Sequence, residues 1–170
     1  MVWNGTNEPI AFLITFRCRA TWLHGDIRGS VDRKHNVYGS PRVEHTPARK
    51  GHESDLLKSG PVYLDEFRRA CVEDGIVETC LMRGWKLFAK HVRTNHAHVV
   101  VRASTAPPGR VLSSLKANAT RIMRERGCWH LDWSPWAEKG SKRWLWTEVH
   151  LASAMDYVVN GQGEELPSFD

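Results

Sequence analysis

Apolar and polar positions alternate along the chain in blocks that predict seven elements. Residues 10–18 (IAFLITFRC) form a short apolar run of aromatic and β-branched side chains, as in a buried strand. A polar stretch rich in Gly, His, Arg and Pro follows, from Arg19 to about Gly60. Loops this long in a compact domain are functional or disordered, and no structure is assigned to it. The spacing of Phe67, Cys71, Ile76, Val77, Cys80 and Leu81 predicts a helix over 64–83 with these residues facing inward. Asp65 and Glu66 suit its first turn and Gly84 its end. Strands are predicted over 85–94 and 96–103, with Asn95 or its neighbours making a tight hairpin. Pro107 and Pro108 suit a second helix start; Val111, Leu115, Ala119, Ile122 and Met123 continue it to Arg126, before Gly127. A tryptophan-rich connection over 129–140 leads to an alternating strand over 142–147 (KRWLWT). A third helix over 149–160 is closed by Gly161.

The order β-α-β-β-α-β-α matches an α+β, ferredoxin-like antiparallel sheet covered by helices, in one domain spanning residues 1–170. That fold hosts many functions and selects none. Composition adds that the chain can bury a core, since 41% of its residues are hydrophobic and 25% charged. No basic start followed by an apolar run opens the sequence, and no apolar stretch approaches the ~18 residues of a membrane span. A cytoplasmic protein, associated with the bacterial nucleoid and not with a membrane, is the expectation. The four cysteines form no Cys-x-x-Cys pair, so reduced packing thiols are expected, with Cys71 and Cys80 on the first helix.

The net charge of +5 matters less than its distribution. Arg110, Lys116, Arg121, Arg124 and Arg126 face only Glu125 over 110–126, while Asp65, Glu66, Glu73, Asp74 and Glu78 gather elsewhere. Segregated positive charge favours a polyanion, although two solvated faces give the same pattern.

Two features carry chemistry. His96 and His98 flank Ala97 in NHAHVVV; on a strand, residues two apart share a face, so the two imidazoles can hold one divalent metal while Ala97, Val99 and Val101 face the core. Nine histidines make a chance pair conceivable, so the pair alone is moderate evidence. Of three tyrosines, Tyr157 alone falls on a predicted helix. It lies roughly 130° from the centre of the stripe formed by Leu151, Ala154, Met155 and Val158, away from a core position. In isolation an amphipathic flank tyrosine is the better reading; with the histidine pair and a basic surface, a nuclease site becomes coherent.

NHAHVVV, the later MDYVVNGQG and the element order resemble the HUH single-strand endonucleases, in particular the single-tyrosine and REP-associated tyrosine transposases, over about residues 10–163. The resemblance implies that His96 and His98 hold Mg²⁺ or Mn²⁺ and that Tyr157 is the nucleophile. It implies a 5′-phosphotyrosine intermediate on single-stranded, hairpin DNA, a homodimer and no nucleotide cofactor. The family's third ligand often lies four residues after the tyrosine. Here that position is Gly161, so Asn160 and Gln162 are the candidates, Gln162 favoured for its reach. Arg17, Arg19, Lys116, Arg121 and Arg124 are candidate phosphate contacts, and Trp144 and Trp146 candidate stacking residues, at least one of them expected in the core. The competing readings are a domesticated hairpin-binding protein without cleavage, a ferredoxin-like RNA-binding module, and a zinc hydrolase using the histidine pair and a carboxylate.

Overall fold

The computed structural model describes residues 7–21 and 60–161. Most of the predicted 19–60 loop, and Gln162, therefore lie outside the described residues. The elements are β1 (Ala11–Arg17), α1 (Glu66–Arg83), β2 (Lys86–Val92), β3 (His96–Arg102), α2 (Pro108–Glu125), β4 (Ser141–Leu145) and α3 (Glu148–Val159). They form one four-stranded sheet in the order β2-β3-β1-β4, with every neighbouring pair antiparallel. The α+β architecture and its two split β-α-β crossovers are those expected from the alternation of elements.

Local chemistry sets the helix boundaries. The Asp65 carboxylate accepts from the Arg68 amide at 2.8 Å and caps α1. At the other end Gly84 adopts φ 64°, and the amides of Gly84 and Trp85 close back on the Leu81 and Cys80 carbonyls. Gly127 ends α2 in the same way, with φ 76°. Thr147, expected as the last strand residue, instead caps α3: its hydroxyl accepts from the His150 amide at 3.1 Å.

The helices divide unequally between the faces of the sheet. α1 and α2 cover one face over a large apolar core that includes Ile14, Phe16, Ile76, Leu115 and Met123. They approach closely at Gly75, where an added Cβ would stand 2.9 Å from the Ala119 Cα. This close approach fixes which arc of α1 is inward: Cys71, Val72, Gly75, Ile76, Thr79 and Cys80. Phe67, Val77 and Leu81, expected inside, lie on the rim, at 52%, 37% and 77% exposure. The apolar arc of α1 is wider than the surface α2 and the sheet can cover.

Among the described residues α3 covers the opposite face, packing Leu151, Ala154 and Val158 on Ala11, Leu13, Ala89, Val100 and Leu145. All four thiols are free. Burial pushes Cys80 and Cys128 up to about 11, so they pack as neutral groups. No described helix is long and apolar enough to cross a membrane.

Candidate active site

The β2–β3 hairpin sets the site. The Arg93 amide donates to the His96 carbonyl at 2.7 Å, leaving Thr94 and Asn95 to make the turn. The resulting register pairs His91 with His98. On the other side, β1 pairs Thr15 with His98 and Arg17 with His96. Cross-strand partners share a face. His91, His96, His98, Thr15 and Arg17 thus lie together on the α3 side, while Ala97, Val99 and Val101 enter the α1/α2 core.

His96 and His98 are buried, with ring centroids 4.8 Å apart and planes at 81°. Their Nδ1 atoms are both engaged: His96 Nδ1 lies 2.6 Å from Asn95 Oδ1, and His98 Nδ1 lies 2.7 Å from Thr15 Oγ1. An amide oxygen can only accept, so His96 carries a proton on Nδ1. The Thr15 hydroxyl can hold His98 in the same tautomer. This is how metal-ligating imidazoles are oriented by an outer partner, and the donor chemistry fits a divalent cation at two Nε2 atoms. Among the described residues no three His, Cys, Asp or Glu side chains converge as a metal site. Any further positions of such an ion fall to other oxygens, such as water and substrate phosphate, which Mg²⁺ commonly keeps.

Tyr157 meets this pair from α3. Its ring stands edge-on to His98, with centroids 5.5 Å apart at 74°. The neighbouring Arg93 is only 2% exposed; burial lowers its pKa, and the charge of an ionised Tyr157 acts in the opposite direction. An arginine nevertheless stays charged.

The remaining predicted residues are distributed unevenly. Asn160 donates its amide to the Asp156 carboxylate at 2.9 Å, on the exposed end of α3. Gly161 packs on the candidate nucleophile: an added Cβ would lie 2.9 Å from the Tyr157 Cα and 3.0 Å from its Cδ2. A side chain at that position therefore displaces the tyrosine. Arg17 stands beside His96. Arg19 lies beyond β1, its guanidinium 5.0 Å over the Trp133 ring.

Lys116, Arg121 and Arg124 belong to α2, across the sheet from Tyr157, and have protein partners. Lys116 donates to the carbonyls of Ala137, Glu138 and Lys139 at 2.8, 3.2 and 3.0 Å. Arg121 pairs with Glu78 and Glu125. Arg124 donates to the Leu131 and Asp132 carbonyls. Trp144 packs against the main core and Trp146 is half-buried.

Sequence reasoning missed His91, Arg93, Asn95 and Thr15. A two-residue turn at Thr94–Asn95, counted outward, would have aligned His91 with His98. Nothing local points to Thr15, whose role depends on pairing between distant strands.

No family model and no curated protein matches the chain. Among solved structures it is similar to a REP-associated tyrosine transposase bound to a REP hairpin, at 11% identity and TM-score 0.49, over 93% of this chain and 67% of that one. It is also similar to a candidate transposase from Deinococcus radiodurans R1, at 14% identity and TM-score 0.49, over 93% of this chain and 95% of that one. The first carries the name of the class that the sequence resembles, and the second is named only as a transposase. At these identities neither likeness bears on the chemistry of the site.

Proposed function

We propose that the protein is a single-stranded DNA endonuclease and strand transferase acting through a 5′-phosphotyrosine, as a transposase of hairpin-ended elements. The observation that carries this reading is the contact of Tyr157 with His98, which stands beside His96, from elements far apart in sequence. His96 and His98 are the residues that would hold a Mg²⁺ or Mn²⁺ ion, which would supply positive charge to a scissile phosphate.

The chain's own groups do the rest. The Tyr157 hydroxyl loses its proton to solvent and its Oη attacks phosphorus. The Oη–P bond forms as the P–O3′ bond breaks, and the departing oxygen takes up a proton to leave a free 3′-OH. The opposite sequence, with a 3′-OH attacking the phosphotyrosine, rejoins the strand and conserves the phosphodiester energy, so no nucleotide cofactor is required. Arg17, beside His96, supplies a cation for the adjoining backbone. A homodimer is the expected assembly, which sedimentation measures.

Gly161 favours a second reading, a hairpin-binding protein without cleavage, because the position four residues after Tyr157 offers no ligand. One assay separates the two. The protein is incubated with Mn²⁺ and a pool of 3′-labelled DNA hairpins and run on a denaturing gel. A labelled protein–DNA band that disappears in both Tyr157→Phe and His96→Ala supports the tyrosine mechanism. Binding to a hairpin with no such band supports the second reading.

A further inference from the structure

We propose that His91 is a positioning residue, a latch from the sheet to the tyrosine helix that sets Tyr157 against the histidine pair; its role in catalysis rests on the tyrosine-nuclease reading above. The last carbonyls of a helix lack intrahelical donors and need other partners. In α3 the Asp156 and Tyr157 carbonyls accept from the amides of Asn160 and Gly161. The Val158 carbonyl, one residue beyond the tyrosine, is met at 3.0 Å by His91 Nδ1. A carbonyl only accepts, so the imidazole donates.

His91 is also the cross-strand partner of His98. One strand pairing and one hydrogen bond thus connect the candidate ligand pair to the residue after Tyr157. The tyrosine needs such a tie. It lies in the last turn of a 12-residue helix, where helices fray, and Val159 just beyond it is exposed. In that turn Val158 is the buried side chain, and the Tyr157 ring is only partly buried against the same small cluster under α3. The latch and the close approach of Gly161 act on the backbone and ring of the same short segment. Without the latch the turn can rotate, and a misplacement of ~1 Å at a reacting group costs on the order of 100-fold in rate.

The test compares His91→Leu, which removes the donor, with His91→Asn, whose amide N–H can occupy nearly the place of Nδ1. Four quantities are measured on the full chain: the single-turnover rate of adduct formation with Mn²⁺ and a DNA hairpin, the affinity for that hairpin, the affinity for Mn²⁺ alone, and the nuclear Overhauser effect between the Tyr157 and His98 rings. The leucine variant should form adduct ~10–100-fold more slowly, with both affinities unchanged and the Overhauser effect abolished. The asparagine variant should recover both the rate and the Overhauser effect. A leucine variant with wild-type rate and an undiminished Overhauser effect overturns the proposal. So does a parallel fall in Mn²⁺ affinity that asparagine does not rescue, which would make His91 a ligand. If the leucine variant does not fold, His91→Ala takes its place. If the wild type forms no adduct, the nuclease reading fails on its own, while the Overhauser effect still decides whether His91 positions Tyr157.

Discussion

β3 presents opposite surfaces to the two sides of the sheet. Toward α1 and α2 it turns Ala97, Val99 and Val101, which meet bulky neighbours such as Phe16, Ile76 and Met123. Toward α3 it turns His96 and His98, and the apolar residues of that face include the small Ala11, Ala89 and Ala154. The first face fills its space with hydrocarbon, as a tightly packed interior requires. The second leaves room for imidazoles and a phenol. The cations of α2 hold carboxylates and loop carbonyls, and Arg17 of β1 is the cross-strand partner of His96. Two helices hold the fold, and one helix carries the proposed chemistry. Substitutions on the two faces should therefore change different measurements.

Tyr157→Phe should have the largest effect, lowering adduct yield by on the order of a thousandfold or more, as removal of a nucleophile does. Its melting temperature should stay near that of the wild type; adduct from the phenylalanine protein would break the comparison outright. Thr15→Val should follow. It keeps the side-chain shape but takes the hydroxyl from His98 Nδ1. Mn²⁺ affinity, measured by calorimetry, should fall ~10–100-fold, the usual cost of removing an outer partner.

On the other face, Gly75→Ala drives a methyl into the Ala119 backbone. Denaturant unfolding should show destabilisation by ~1–3 kcal/mol, while the folded fraction keeps its adduct rate. A change in rate there would show that the faces are coupled. A smaller effect sharpens the contrast among the arginines. Arg17→Ala should weaken hairpin binding by several-fold and flatten its salt dependence, whereas Arg121→Ala, already paired with two glutamates, should leave both unchanged.

A last effect concerns pH. Burial pulls the Lys116 ammonium down to about 8, against 10.5 in the unfolded chain. Below pH 8 it is charged in both states, and its desolvation costs stability. Between about 8 and 10.5 the unfolded chain binds more protons, so stability rises with pH. Wild type measured against Lys116→Met should gain stability across that window. A flat difference would show that the three loop carbonyls hold the charged form as well as water does.

Much of this was legible in the sequence. Caps and glycines marked the helices, alternation marked the strands, and His-Ala-His together with a helix tyrosine marked the candidate site, although the Tyr157 ring, expected outside the helix stripe, packs partly buried against the cluster under α3. Long-range partnership was not legible. Thr15 orients His98 through a register between strands separated by 83 positions. The wrong assignment of Phe67, Val77 and Leu81 has a related cause: a helix shows its apolar arc in sequence, but the width of its neighbour decides how much is covered. Lys116, Arg121 and Arg124 looked available for phosphate because Glu78 and the 131–139 carbonyls that engage them belong to other segments.

The two-residue turn at Thr94–Asn95 also imposes an order of events. A hairpin closed by neighbours in sequence can form in ~1–10 μs, before pairings that must close long loops. His91, His96 and His98 are thus aligned early, by local pairing. Tyr157 lies on α3, which follows β4 in the chain. During synthesis the ribosome likewise releases the histidines well before the tyrosine. On the proposed reading, a chain made only as far as the hairpin would carry both candidate metal ligands and would lack the candidate nucleophile.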